Sequence, residues 1–202
     1  MTTETPRRQQ IEAAASTLFR ERGYAATSVR DIAQALDMQG GSLYAHMASK
    51  EDVLWSIVIR AADKFNSEVG PIAESAAPAP DRLRRMIRAH VAVVTGSQKD
   101  AAVFLHEWRF LSQSRRDQIA ERRDGYEAHF RNVIGEGIAS GAFNDVDPRM
   151  AAMAILSALN GIATWYSPDG PSSADAVADQ YADLFLNGLA DSQPHFMMRT
   201  FS

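Results

Sequence analysis

Residues 39 to 50 read Gln-Gly-Gly-Ser-Leu-Tyr-Ala-His-Met-Ala-Ser-Lys. This run suits contact with a duplex better than catalysis. The Gln39 amide can pair with the N6/N7 edge of adenine through two hydrogen bonds. Gly40 and Gly41 let a backbone approach a surface closely, and Ser42 can donate to a base edge or a phosphate. Elsewhere the inventory for chemistry is thin. The chain has no Gly-x-Ser-x-Gly, no P-loop and no GxGxxG run, and Glu107 and Glu136 have no evident catalytic partner. His90, His106 and His129 are widely separated, form no His-x-x-x-His pair and have no cysteine beside them, so no metal site and no cofactor are expected. The sequence therefore argues against an enzyme.

The elements that must position the run are helices. Residues 27 to 36 make a compact helix capped by Thr27 or Ser28, with Val29, Ile32, Ala33 and Leu36 on its apolar face. Residues 37 to 40 turn, and a second short helix covers about 41 to 47. Ser49 is an N-cap, with Glu51 and Asp52 in the first turn of the helix that follows. Two short helices so spaced, ending at a capped long one, form a helix-turn-helix. Ahead of them, residues 7 to 22 place Ile11, Ala15, Leu18 and Phe19 at i, i+4, i+7 and i+8, one face of a helix closed by Gly23.

Residues 7 to 54 resemble the DNA-binding domain of the TetR family of repressors. The matching positions are Ile11, Ala14, Leu18, Phe19, Gly23, Tyr24, Thr27, Ser28, Val29, Ile32, Ala33, Gly41-Ser42-Leu43-Tyr44, His46 and Ser49-Lys50-Glu51. Asp37 replaces the usual turn glycine and Met47 the usual phenylalanine. Asp tolerates left-handed geometry, and Met is an adaptable apolar filler. The resemblance implies that Thr27, Tyr44, His46 and Lys50 clamp phosphates and that Ser28 joins the DNA-contacting set.

The long helix is expected to run to about residue 68 and stop at Gly70-Pro71. A Pro/Ala loop over 75 to 80 follows, and Asp81 opens a fifth helix bearing Leu83, Met86, Ile87, Val91 and Val94. Further helices are expected over about 101–111, 114–140, from Pro148, and from Ser172 or Ser173 to about 189. No segment alternates in the manner of a strand. The expected fold is all-α, with nine helices in two domains: residues 1–50 for DNA, residues 51–202 for ligand binding and dimerisation.

Residues 151–166 are apolar nearly all round, so that helix must be buried on more than one side. Paired with the last helix, its second face would meet a symmetry mate in an isologous four-helix interface of Met153, Leu156, Leu159, Asn160, Tyr181, Leu184 and Phe185. Such a homodimer is also what the resemblance implies.

The C-terminal half is similar to one TetR subgroup, the regulators of fatty-acid and steroid catabolism that release DNA on binding an acyl-coenzyme A. The similarity rests on Leu105 to Leu111, Arg122 to Tyr126, Glu136-Gly137, Gly141 to Phe143, Asp147-Pro148, Asn160 and Trp165 to Pro171. The expected inducer site draws on Phe104, Trp108, Arg109, Arg122, Arg123, Tyr126, Phe130 and Trp165. From the residues alone, the aromatics serve equally as plain core. For any single arginine, a solvated face paired with Glu107, Asp117, Glu121 and Asp124 is the better reading.

Composition bounds these readings. The net charge of −4 over 202 residues divides unevenly, +1 for residues 1–50 and −5 beyond them. So small a basic excess implies few phosphate contacts per subunit, a need that a dimer on a palindrome would meet. With no charged-then-apolar leader and no apolar run of about 20 residues, the expectation is a cytoplasmic protein, nucleoid-associated when on DNA. The expected partners are double-stranded operator DNA, a second copy of the chain and a small-molecule inducer, with no membrane. Rival readings are a repressor induced by a cationic or aromatic drug, and an architectural helical protein indifferent to DNA sequence.

Overall fold

The computed structural model describes residues 6–190. Of the polar tail expected over residues 1–6, Pro6 opens the first helix, and the rest lies outside the described residues, as does the aperiodic stretch 191–202. Among them the chain forms nine α-helices, one 3₁₀ turn and no strand. α1 (Pro6–Arg22), α2 (Val29–Gln34) and α3 (Gly40–Leu43) come first. α4 (Lys50–Ala73) leads into α5 (Ala79–Gly96), α6 (Gln98–His106), the 3₁₀ turn Trp108–Phe110, α7 (Gln113–Ala139), α8 (Pro148–Trp165) and α9 (Ala174–Leu189).

Local chemistry accounts for most boundaries. Gly23 ends α1 at φ 82°, its N–H donating to the Phe19 carbonyl at 3.0 Å. Ser28 and Asp31 close a reciprocal capping box on α2. Asp37, at φ 52°, takes the left-handed turn between α2 and α3. Ser49 caps α4, Asp147 caps α8 with Pro148 at its first position, and Ser173 caps α9.

Four expected boundaries are corrected. α3 stops at Leu43 and continues only as turns through His46, not as helix to Met47. α4 passes through Gly70-Pro71 to Ala73. The ring at Pro71 denies a hydrogen bond only to the Ser67 carbonyl, and both residues are exposed, so water serves instead. α5 starts at Ala79 rather than Asp81, because Pro80 sits in the first turn, where an N–H has no helical partner in any case. The sixth helix spans Gln98–His106 and breaks at Glu107, whose carboxylate turns to accept the Tyr24 N–H at 2.9 Å.

α5 is the hub, packing against α4, α6, α7, α8 and α9. α1 packs on α2, α4 and α6, which ties the N-terminal helices to the rest. At that junction Glu12, 1% exposed, pairs with Arg8 and Arg60, and Arg60 also meets Asp100 on α6. Asp100 accepts a hydrogen bond from the Ser16 hydroxyl at 2.6 Å. Among the described residues no helix is long and apolar enough to cross a membrane.

Candidate functional site

The helix-turn-helix presents a small set of unengaged side chains. Gln39 stands at the N-cap of α3 without making a capping bond, and it is exposed. Ser42 is exposed, and Tyr44 is 58% exposed although it is a large aromatic. A Cβ built on Gly41 would meet only open space. His46 is half-buried. Leu43 and Met47 are buried beneath these residues and hold α3 against the domain.

Three of the expected DNA contacts are engaged elsewhere. Thr27 is 1% exposed, and its hydroxyl donates to the Gly23 carbonyl at 2.9 Å, so its side chain supports the turn. The Ser28 hydroxyl is taken by the capping box, donating to Asp31 at 2.6 Å. Lys50 is turned inward. Its ammonium donates to the carbonyls of Tyr24 and Thr27 at 2.9 and 2.7 Å and lies 4.1 Å from the Tyr24 ring centroid. Burial pulls its pKa below the usual lysine value, with Asp31 opposing the shift. Sequence reasoning passed over Arg22 and Arg30, which are exposed and lower the Asp31 carboxyl pKa, behind the hydrogen bonds from Ser28. Their charge beside the turn was the available signal.

The second site is a cavity of about 330 Å³ between α4, α5, α6, α7 and α8, at the low end of the size range for ligand pockets. Phe65, Phe104 and Tyr126 form an aromatic wall, with Phe65 centroids 5.6 and 5.8 Å from the other two. Arg122, Arg123, Asp124 and Glu127 come from the α7 side. The Arg123 guanidinium lies over Phe104 and Trp108, at 5.6 and 5.4 Å from their centroids. Its buried Nη1 has no hydrogen-bond partner, and desolvation lowers its pKa against the opposing charge of Asp124. A buried donor left unpaired costs about 1–3 kcal/mol, so the cavity holds an unmet demand for an acceptor.

The expected inducer residues divide. Phe104, Arg122, Arg123 and Tyr126 line the cavity, and Trp108 stands one layer back, beneath Arg123. Phe130 does not line it. It is fully buried behind Tyr126, 5.6 Å between ring centroids, as a core residue. Arg109 is exposed and lies over Phe110 instead, and Trp165 is 53% exposed at the end of α8, against Tyr166. Sequence reasoning missed Phe65, Asn66 and His90 as lining residues. His90 carried a signal: it falls on the inward face of α5 between Ile87 and Val94, a polar side chain where the pattern calls for an apolar one. Among the described residues no three His, Asp or Glu side chains are grouped to hold a metal ion.

On the expected interface, Met153 and Leu184 are exposed, while Leu156, Asn160, Tyr181 and Phe185 are half-buried. Leu159 is fully buried, on the α8 face shared with Ile155 and Ile162, and belongs to the core. Met153, Leu156 and Asn160 also line the cavity.

Residues 11–57 match the model of the bacterial regulatory proteins of the tetR family, and residues 76–189 match the tetracyclin repressor-like C-terminal domain. The chain belongs to the TetR family. It is a transcriptional repressor of that family, not an enzyme. It is 30% identical over 191 residues to the repressor KstR2 of Rhodococcus jostii, covering 94% of this chain and 93% of that protein. It is 26% identical over 191 residues to the fatty acid metabolism regulator protein of Bacillus subtilis, covering 94% and 98%. A solved structure of AibR in complex with isovaleryl coenzyme A and operator DNA superimposes with a TM-score of 0.80 at 30% identity, covering 88% of this chain and 97% of that one. α4 fills all but the last two residues of the gap, 58–75, between the two matched segments.

Proposed function

We propose that the protein binds a palindromic operator as a homodimer and is released from it by an acyl-coenzyme A thioester. Residues 1–50 take the DNA, while residues 51–202 hold the inducer and the second subunit, with α4 shared by both parts. The same reading puts the protein in the cytoplasm, on the nucleoid when it represses.

One observation carries the inducer half: the cavity wall is tied directly to the helix-turn-helix. α6 contributes Phe104 and Leu105 to the cavity. At its start Asp100 holds Ser16 of α1, and just past its end Glu107 holds the Tyr24 N–H. Phe110, in the 3₁₀ turn, stacks on Tyr24 at 5.5 Å, and Tyr24 in turn receives Lys50. A ligand that moves α6 therefore pulls on the base of the DNA-binding unit. Two-fold binding needs half-sites about 34–36 Å apart or a multiple, so a shift of several ångströms between the two recognition helices unseats one of them. The ligand must also prefer the DNA-incompetent form; moving the population from 1:99 to 99:1 takes about 10⁴-fold preference.

The cavity is smaller than a whole coenzyme A thioester. The acyl group goes inside, and the phosphates stay at the mouth with Arg122 and Arg123, a role arginine fills well. The isovaleryl coenzyme A complex of AibR supports the same ligand class here. A cationic inducer is the second reading, since Asp124 and Glu127 also line the cavity. The unpaired Nη1 of Arg123 favours an acceptor over a cation. Large apolar side chains left exposed on α8 and α9 (Met150, Met153, Trp165 and Leu184) support the dimer face.

The test is a mobility-shift titration on a palindrome selected from random DNA, with a panel of acyl-coenzyme A thioesters and of cationic dyes. A complex dissolved by a thioester supports the proposal. One dissolved only by a cation supports the second reading, and failure to enrich any sequence overturns operator recognition.

A further inference from the structure

The inner end of the cavity is polar where a pocket for a plain hydrocarbon chain would be apolar. His90 is 1% exposed and Tyr126 9% exposed, deeper than the half-buried arginines on the α7 side. His90 Nδ1 and the Tyr126 hydroxyl are paired at 2.9 Å, and the Phe65 ring braces the imidazole at 4.9 Å. His90 Nε2 is buried and makes no hydrogen bond. Asn160 of α8 lines the same cavity. Its amide lies next to the imidazole and favours the proton there, yet the bonding geometry leaves Nε2 unpaired.

The charged groups on the cavity wall are Arg122, Arg123, Asp124 and Glu127. Burial holds the His90 pKa down to about 3, only partly offset by Asn160, so the imidazole is neutral at physiological pH. A neutral imidazole with Nδ1 committed has one valence left. It is an N–H if Tyr126 donates to Nδ1, and a lone pair if Tyr126 accepts. A hydroxyl on a ligand satisfies either form and a keto oxygen the first, whereas a methyl group satisfies neither. Buried polar atoms in folded proteins are paired in the great majority of cases, so a bare buried Nε2 on a residue that lines a cavity calls for an occupant.

We propose that the inducer's acyl group carries an uncharged oxygen, a hydroxyl or keto group, received at the inner end of the cavity by His90 Nε2 and Asn160. The preferred inducer is then an oxygenated acyl thioester, not a saturated one. This rests on the acyl-coenzyme A reading above, and the experiment separates the two.

The full-length protein is titrated calorimetrically with hexanoyl-coenzyme A, with hydroxy- and oxo-hexanoyl-coenzyme A carrying the oxygen at successive carbons, and with the corresponding free acids. At least one oxygenated thioester binds about tenfold or more tightly than the saturated one. His90→Phe keeps an aromatic ring in place and removes that preference while still binding hexanoyl-coenzyme A. Tyr126→Phe deletes one atom and narrows the preference, so the test survives if His90→Phe does not fold. Equal or tighter binding of the saturated chain overturns the inference, as does a preference unchanged in both variants. If an oxygenated free acid binds as well as its thioester with the same dependence on His90, the polar end stands and the thioester reading falls. If no compound binds, both fall.

Discussion

The two ends of this molecule solve opposite problems with the same element. The helix-turn-helix keeps its working side chains in water. Gln39, Ser42 and Tyr44 are exposed, while Thr27, Ser28 and Lys50 spend their polar groups holding a turn in shape. The cavity end does the reverse: Phe104, Tyr126 and His90 are buried, and His90 Nε2 and Arg123 Nη1 lack partners. One surface waits for a rigid partner, the other for a small one. The comparison teaches that exposure marks function in the first region, whereas an unmet polar valence marks it in the second.

The sharpest way to break this contrast is to treat a buried aromatic as structure. Phe130→Ala, behind the cavity wall, should lower unfolding free energy by about 3–5 kcal/mol in denaturant titration. Trp165→Ala, at an exposed ring, should change the stability of the protomer by less than about 0.5 kcal/mol. A mild Phe130 variant would mean that it faces open space after all.

Next in size is the outer face. Leu184→Glu should give monomers by light scattering and weaken operator binding by about 10²–10⁴-fold through loss of avidity. An intact dimer would move the interface elsewhere. Leu159, buried in the protomer, cannot serve this test.

Within the DNA end, Gln39→Ala should cost about 1–3 kcal/mol of discrimination between operator and random sequence. Lys50→Met should instead lower the melting temperature of the protein and leave the salt dependence of DNA binding unchanged, because its charge is spent on two carbonyls. A salt slope reduced by about one charge would restore Lys50 as a phosphate contact.

The smallest effect concerns the link between the ends. Arg115 of α7 bridges Glu51 and Asp52 at the start of α4. The Glu51 carboxyl is lowered mainly by the Ser112 N–H, and the Asp52 carboxyl mainly by Arg115. Groups lowered on folding stabilise the fold above their unfolded values of 4.5 and 3.8, and that stability is lost as pH falls through the lower folded values. Arg115→Gln should flatten this acid limb in pH-dependent unfolding, and an unchanged limb would assign it to other carboxylates.

Much of the fold was legible because helix ends have local causes. Ser28, Ser49, Asp147 and Gly23 announce themselves, and Asp37 takes the left-handed turn that a glycine more often fills. Pro71 and Pro80 misled in the same way, each read as outside a helix that takes it in, since the cost of a proline depends on whether its turn of helix is exposed or near an end. The working residues were less legible. Thr27 and Lys50 have the chemistry of phosphate contacts, and only the fold reveals that they point inward. Phe104 and Phe130 read alike in sequence, yet one faces space and the other does not. His90 was the readable exception, a polar residue on an apolar helix face.

The central claim is that the cavity and the helix-turn-helix share one free energy. It is tested most directly by measuring the affinity of an inducing acyl-coenzyme A for the protein alone and for the protein saturated with operator. Binding linkage is reciprocal, so the operator should weaken the thioester by the same factor as the thioester weakens the operator, typically about 5–150-fold. Equal affinities in the two states would contradict the account and leave the cavity without a role in releasing DNA.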